Sequence, residues 1–154
     1  MRETMAEETA IADFKIGINL LRKGQSEEAT EHFRHAAELE QKNPYYLSFL
    51  GVSVARAQRK WAAAVKLCEM AISLRRNEAQ LYLNLAEVYV SAGQRDDAVE
   101  VLDKALIYFS ADTRIRRARA NLGMRCSPVL PFLERGHFLN RSLGKLRRRV
   151  SGRN

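Results

Sequence analysis

The sequence lacks the features on which secreted and membrane-spanning proteins depend. Its two cysteines, Cys68 and Cys126, are too few for a disulfide framework, which favours a reducing compartment. No apolar run approaches the roughly 18 residues that a membrane-spanning helix needs. The first nine residues carry acidic side chains where a signal peptide would carry basic and then apolar ones. We therefore expect a soluble, cytoplasmic protein.

Motifs of enzymes and of cofactor-binding proteins are also missing. The sequence has no glycine-rich phosphate loop, no Gly-x-Ser-x-Gly elbow and no zinc-type cysteine pair. His32 and His35 stand three residues apart, but the acidic residues around them are typical of an exposed helix face, an interpretation we favour over a metal site. Asp96 and Asp97 are better explained by a helix start than by acid and base catalysis. The sequence predicts no enzyme and no cofactor.

Acidic residues are nearly absent from the C-terminal region. Residues 1–112 carry 14 Lys and Arg against 17 Asp and Glu, whereas residues 113–154 carry 12 Lys and Arg against one acid, Glu134. This asymmetry predicts two regions with different roles. We expect one folded domain over residues 1–125, because a chain with 46% apolar composition can bury a core. Residues 126–154 would form a basic, proline-containing tail.

What the sequence does contain is a repeated pair of apolar stripes at helical spacing. In the most regular copy the first stripe is Tyr82, Leu85, Ala86 and Tyr89, and the second is Ala98, Leu102 and Ala105. Gly93 stands between the stripes, which can pack together only if the chain doubles back. The alanine that opens the second stripe recurs as Ala29, Ala64 and Ala98, at intervals of 35 and 34 residues.

This Tyr-x2-Leu-Ala-x2-Tyr, Gly, Ala-x3-Leu-x2-Ala series resembles the tetratricopeptide repeat, a unit of 34 residues that forms a helix, a turn and a second helix. The resemblance implies an all-α fold, a right-handed superhelical array of helix-turn-helix repeats. We expect repeats over about residues 10–43, 44–78 and 79–112. A capping helix over about residues 113–123 would cover the last repeat with Ile115, Ala118 and Leu122.

Capping residues and turn residues predict the helix boundaries. The residues expected to cap the first, second, third, fifth and seventh helices are Thr4, Ser26, Asn43, Asn77 and Asp112. Glu7 would complete a capping box with Thr4, so the first helix is expected from about Met5 to Arg22. The middle repeat lacks the turn glycine and is one residue longer around Arg59, which predicts a looser turn.

In the family that this chain resembles, the first helices of the repeats line a concave groove that binds peptides. The matching positions are Ile11, Phe14, Ile18 and Leu21, then Tyr45, Ser48, Val52, Ala55 and Arg56, then Gln80, Leu83, Glu87 and Val90. Family members that grip a C-terminal carboxylate use Lys, Asn and Arg in this groove. The corresponding positions here are Phe14, Ile18, Phe49, Gln80 and Asn84, which disfavours that function.

The resemblance therefore implies a non-enzymatic adaptor or scaffold whose apolar groove binds a peptide segment of a protein partner. A secretion chaperone, similar to the three-repeat chaperones of type III translocator proteins, is the alternative. The basic tail departs from that family. The first helix is apolar nearly all round, so the N-terminal extension or a homodimer is a competing way to cover it.

The tail itself contains an apolar part and a basic part. Pro128 and Pro131 interrupt helix formation around four apolar residues, Val129, Leu130, Phe132 and Leu133. We expect this segment to dock in a groove of the repeats, either its own or that of a second subunit.

Farther on, Leu139, Leu143, Leu146 and Val150 predict a short amphipathic helix. Its basic residues are Arg141, Lys145, Arg147, Arg148 and Arg149. They predict contact with an anionic membrane surface, with a merely solvated tail as the competing interpretation. Nucleic acid is disfavoured, since the tail has few aromatic residues and the repeats are acidic.

Overall fold

Residues 2–123 are described by the computed structural model, and seven α-helices occupy that part of the chain. The helices are α1 (Arg2–Arg22), α2 (Ser26–Leu39), α3 (Pro44–Gln58), α4 (Trp61–Leu74), α5 (Ala79–Ser91), α6 (Arg95–Tyr108) and α7 (Thr113–Asn121). The described part contains no strand, so the predicted all-α class is confirmed. None of these helices is long and apolar enough to span a bilayer.

Consecutive helices pack as three hairpins followed by a single helix. The hairpins are formed by α1 with α2, α3 with α4, and α5 with α6. Neighbouring hairpins meet where α2 packs against α3 and where α4 packs against α5, and α3 also contacts α5. The last helix, α7, packs against α6 and touches α5. This is the array of three helical repeats with a terminal helix that the apolar stripes predict.

Small residues let the two helices of each hairpin approach closely. The alanines that open the second stripes, Ala29, Ala64 and Ala98, are completely buried. On α3, a Cβ atom added at Gly51 would lie 2.7 Å from the Cys68 sulfur and 2.8 Å from the carbonyl oxygen of Ala64. Contacts that short exclude even a methyl group, so the glycine sets the spacing between α3 and α4.

Each of the three turns within the hairpins contains one residue in the left-handed backbone conformation. Gly24 and Gly93 have φ angles of 81° and 74°, and Arg59 takes the same place in the middle repeat with φ 52°. The middle turn differs from the other two in its backbone hydrogen bonds: Gln25 donates to Leu20 and Gln94 to Tyr89, whereas in the middle turn Arg59 donates to Ala55. It is nevertheless shorter than they are. The additional residue lengthens α3, and only Arg59 and Lys60 separate α3 from α4, whereas three residues separate the helices of the other hairpins. Glycine adopts this conformation without a steric penalty, so Arg59 is the strained member.

Two of the predicted caps are confirmed and three are wrong. The Asn43 side chain accepts from the backbone N–H of Tyr45, and the Asp112 side chain accepts from those of Arg114 and Ile115. Thr4 lies inside α1, which begins at Arg2, and Ser26 is already the first residue of α2. Glu78, one residue after Asn77, occupies the capping position of α5 without a side-chain hydrogen bond. The predicted end of α1 at Arg22 is confirmed.

The buried side chains form two clusters. The first cluster contains side chains from all five helices α1 to α5, and it includes Phe33 on α2, which is completely buried beside the rings of Phe14 and Phe49. The second cluster joins α5, α6 and α7, and Ile115 of α7 is completely buried in it. Ala118 and Leu122 pack against this second cluster, so α7 covers the last repeat with the face predicted from the sequence.

Candidate peptide-binding surface

The predicted groove residues of α1 are only partly accessible. Ile11 is 38% exposed, Phe14 and Ile18 are half-buried, and Leu21 is buried. The Phe14 ring lies 5.0 Å from the ring of Tyr46 and 5.4 Å from that of Phe49, both on α3. Phe14 therefore joins the first repeat to the second, and Ile11 is the most accessible apolar member of this set.

On α3, most of the predicted groove residues lie in the core. Ser48, Val52 and Ala55 are buried, whereas Tyr45 is half-buried and Arg56 is exposed. The Tyr45 hydroxyl donates to the Glu78 carboxylate at 2.6 Å. This bond, together with burial of the ring, raises the pKa of Tyr45. The middle repeat thus offers polar atoms at its two ends and little accessible apolar surface between them.

On α5, the predicted residues form the most open part of the surface. Val90 is 47% exposed, and Gln80, Leu83 and Glu87 are half-buried. The Glu87 carboxylate lies 2.5 Å from the Arg56 guanidinium of α3. This ion pair brings the predicted residues of the second and third repeats together on one face, with the two charges largely compensating each other.

A chain of hydrogen bonds that the sequence does not predict runs from exposed Arg114 to buried Asn84 and Ser48. The Arg114 guanidinium donates to Gln80 at 3.2 Å, the Gln80 amide donates to Asn84 at 2.8 Å, and the Asn84 amide donates to Ser48 at 2.9 Å. Asn84 is only 2% exposed. Buried polar groups of this kind need partners, so the chain ties α7, α5 and α3 into one register. In the sequence, this chain is indicated by two polar residues of α5, Gln80 and Asn84, which stand among apolar positions.

A second polar cluster joins α1 to α2 in the first repeat. The Asp13 carboxylate of α1 accepts from His32 at 2.8 Å and from His35 at 2.5 Å, through a different oxygen for each ring. Burial of Asp13 raises its pKa, but the two hydrogen bonds and the nearby histidines outweigh burial, and the net pKa lies below the ordinary value. No group of three or more potential metal ligands occurs within residues 2–123.

The buried thiol of the middle repeat has no reactive environment. Cys68 is completely buried at the contact between α3 and α4. Burial raises the pKa of its thiol to about 12, against a weak lowering by its hydrogen bond to Ser48. A thiol that remains protonated in this way is a poor nucleophile and a poor metal ligand. It packs as a small apolar side chain.

The predictions for the tail lie outside the described residues. These are the docking segment with Val129, Leu130, Phe132 and Leu133, and the basic set Arg141, Lys145, Arg147, Arg148 and Arg149. The same applies to the domain boundary at residue 125, although the compact unit of helices ends at Leu122. All three stay predictions.

Comparison with known proteins gives a family model that matches part of the chain and several similar structures. The family model named Tetratricopeptide repeat matches residues 55–122. The second tetratricopeptide domain of human RPAP3, in complex with an HSP70 peptide, is 15% identical with a TM-score of 0.63, covering 80% of this chain and 99% of that one. A comparison with curated proteins finds no significant match.

Another similar structure is the Yersinia enterocolitica type III secretion chaperone SycD in complex with a peptide of the translocator YopD. It is 16% identical with a TM-score of 0.60, covering 75% of this chain and 92% of that one. A third is the tetratricopeptide domain of Arabidopsis OM64, 15% identical with a TM-score of 0.63, covering 77% and 97%. At such identities the likeness concerns the fold alone.

Proposed function

Because the chain is a helical repeat protein of the tetratricopeptide type, we propose that it is a non-enzymatic adaptor that binds an apolar peptide segment of a partner protein. The observation that carries the proposal is the accessible apolar surface at the groove positions of α1 and α5. Ile11 and Val90 are exposed there, beside half-buried Phe14, Ile18 and Leu83. Apolar side chains without a cluster of titratable groups suit peptide binding better than catalysis.

The side chains of this surface also favour an apolar peptide over an acidic C-terminus. RPAP3 is seen with an HSP70 peptide that ends in Glu-Glu-Val-Asp, and such a sequence calls for cationic donors. Here Asn84 is buried with its amide already bonded to Ser48, and Arg56 is paired with Glu87. Residues 1–112 also carry more acidic than basic side chains. An acidic peptide would therefore be repelled, whereas an apolar segment would gain from burial.

A secretion chaperone is the second candidate function. The observation in its favour is the likeness to SycD, a chaperone described in complex with a peptide of its translocator. A chaperone of this kind should prevent aggregation of one client that carries apolar segments, and its gene is expected beside that client. An adaptor would instead join two folded proteins without changing the solubility of either.

The proposal is tested by placing charges on the exposed groove positions. Ile11→Asp combined with Val90→Asp should remove partner proteins from a pull-down with the full chain, because a peptide would have to bury the new carboxylates. Ile107→Asp is the matched control, since Ile107 is 78% exposed on α6 and lies outside the groove positions. Circular dichroism should give the same helicity for all three proteins.

The candidate partners are the proteins that the control variant recovers in the pull-down and the groove variant does not. Peptides from those proteins should bind the wild-type chain in a calorimetric titration and bind the groove variant at least tenfold more weakly. Equal recovery of every partner by the groove variant and by the control would remove the groove from the proposal.

A further inference from the structure

A second concave surface lies between α4 and α6, away from the groove positions. It is an open cavity of about 500 Å³, a size at which small ligands and peptide side chains are bound in proteins. Tyr82, Leu85 and Tyr89 of α5 form its floor, while Ile72 of α4 and Val101 of α6 form the apolar part of its walls. We call this surface the α4–α6 cavity.

The rim of the α4–α6 cavity is acidic. Glu69 of α4 and Asp97 and Glu100 of α6 line it, together with Lys104, whose ammonium lies 2.9 Å from Glu100. These carboxylates all act on the hydroxyl of Tyr89. Burial of Tyr89 raises its pKa, and the charges of Glu69, Asp97 and Glu100 raise it further. Carboxylates from two different helices therefore act at a single point above an apolar floor, where a cation would be attracted.

The α4–α6 cavity is independent of the proposed groove. Its floor uses residues 82, 85 and 89 of α5, whereas the groove uses residues 80, 83, 87 and 90 of the same helix. At 100° per residue these two sets point to roughly opposite sides of α5. A ligand in the cavity and a peptide in the groove would thus bind on different faces of the third repeat.

We propose that the α4–α6 cavity binds a basic amphipathic peptide segment of a partner protein, with an apolar side chain on the tyrosine and leucine floor and adjacent Lys or Arg side chains on the acidic rim. The apolar floor supplies burial, and the excess of carboxylates over the single lysine selects cationic neighbours. An anionic peptide would meet carboxylates from both walls.

The direct test measures binding of a fluorescent amphipathic peptide of about 18 residues made of leucine and lysine. The full chain should bind it, and two matched peptides should fail. In one, glutamate replaces lysine, and in the other, serine replaces leucine. Rising salt should weaken binding, because the rim contacts are screened. Equal binding of the glutamate peptide would overturn the proposed charge selection, and equal binding of the serine peptide would overturn the apolar contact.

Reversing the charge of two carboxylates on the rim tests whether the peptide binds in the α4–α6 cavity. Glu69→Lys with Asp97→Lys should weaken binding of the leucine–lysine peptide about tenfold, as loss of two partly exposed ion pairs and their replacement by repulsion implies. Glu38→Lys with Glu27→Lys is the control on α2, since it makes the same change of charge at two exposed positions, one in the last turn and one in the first turn of that helix. The control should bind within twofold of the wild type.

A photo-crosslinking leucine analogue in the peptide separates this proposal from the groove. Attachment to α4, α5 or α6 around Tyr89, lost in the charge-reversal variant, supports the α4–α6 cavity. Attachment confined to α1 and α3, with no effect of the reversals, would overturn it while leaving the proposed groove intact. Conversely, Ile11→Asp with Val90→Asp should leave attachment around Tyr89 in place.

Discussion

The two halves of the array are joined by different kinds of contact. Between the first and second repeats, aromatic rings meet: Phe14 and Phe49 lie 5.4 Å apart, and Phe33 and Phe49 lie 5.8 Å apart. Between the second repeat, the third repeat and α7, a chain of polar side chains runs through Ser48 and Asn84. Ring packing stabilises by buried area and tolerates small shifts, whereas hydrogen bonds fix one register and are costly to leave unmade.

This difference indicates a division of roles within the array. The aromatic half holds Phe33, the largest completely buried side chain of the described residues, and we expect this half to contribute more to the free energy of unfolding. The polar half keeps α5 and α7 in register, and it is also the half that carries the open surface of Val90 and the α4–α6 cavity. We expect stability to depend on the first half and ligand geometry on the second. Three substitutions test this expectation.

The largest effect is expected at Phe33. Phe33→Ala removes a completely buried ring that contacts Phe14 and Phe49, and it should lower the free energy of unfolding by about 3–5 kcal/mol. Phe109→Ala is the comparison in the second half, where the ring is half-buried against Tyr82. It should cost about 1–2 kcal/mol. Urea titrations followed by circular dichroism measure both. Equal losses would contradict the assignment of stability to the aromatic half.

A smaller effect is expected at Asn84. Asn84→Ala leaves the buried hydroxyl of Ser48 without its donor, so the free energy of unfolding should fall by about 1–3 kcal/mol. Ser48→Ala combined with Asn84→Ala should cost less than the sum of the two single changes, because the second change removes a group already without its partner. Strict additivity in this double-mutant cycle would mean that the polar chain does not couple α3 to α5.

How far the sequence predicts this molecule depends on whether a feature is local. The stripes around Ala29, Ala64 and Ala98 predict the helices and their pairing, since periodicity survives any modest error in register. Capping is decided by single residues, and Glu78 rather than Asn77 occupies the position before α5. The spacing of residues along α3 predicts the side of that helix on which Ser48 and Val52 lie. It does not predict how closely the first helices of neighbouring repeats pack, and this close packing buries both side chains.

Contacts between residues that are distant in the sequence likewise cannot be predicted from its local patterns. The sequence pattern places His32 and His35 on an exposed helix face, and it does not identify Asp13 as their common partner. Their meeting depends on the crossing of α1 over α2, and no pattern within either helix encodes that. The same holds for Arg114 of α7, which reaches Gln80 of α5 across 34 positions of the chain.

The smallest effect is expected at this Asp13 contact, which adds a polar tie at the more exposed edge of the aromatic half. Asp13→Asn removes the charge that both histidine rings share, and since the rings are 35% and 52% exposed the loss should be about 1 kcal/mol or less. The pKa of Asp13 is lower in the folded chain than its ordinary value of 3.8. Its stabilisation is therefore present above pH 3.8 and is lost as the pH falls through the lower folded pKa.

The wild-type chain and Asp13→Asn should accordingly differ in free energy of unfolding at neutral pH and converge in acid, as measured by urea titrations across that range. Glu38→Gln on α2 is the control, because it removes an exposed carboxylate for which the structure gives no such contact. It should show no comparable convergence. If the Asp13→Asn difference persisted unchanged well below pH 3.8, the loss would come from packing of the side chain. The aromatic half would then owe nothing to this ionised contact.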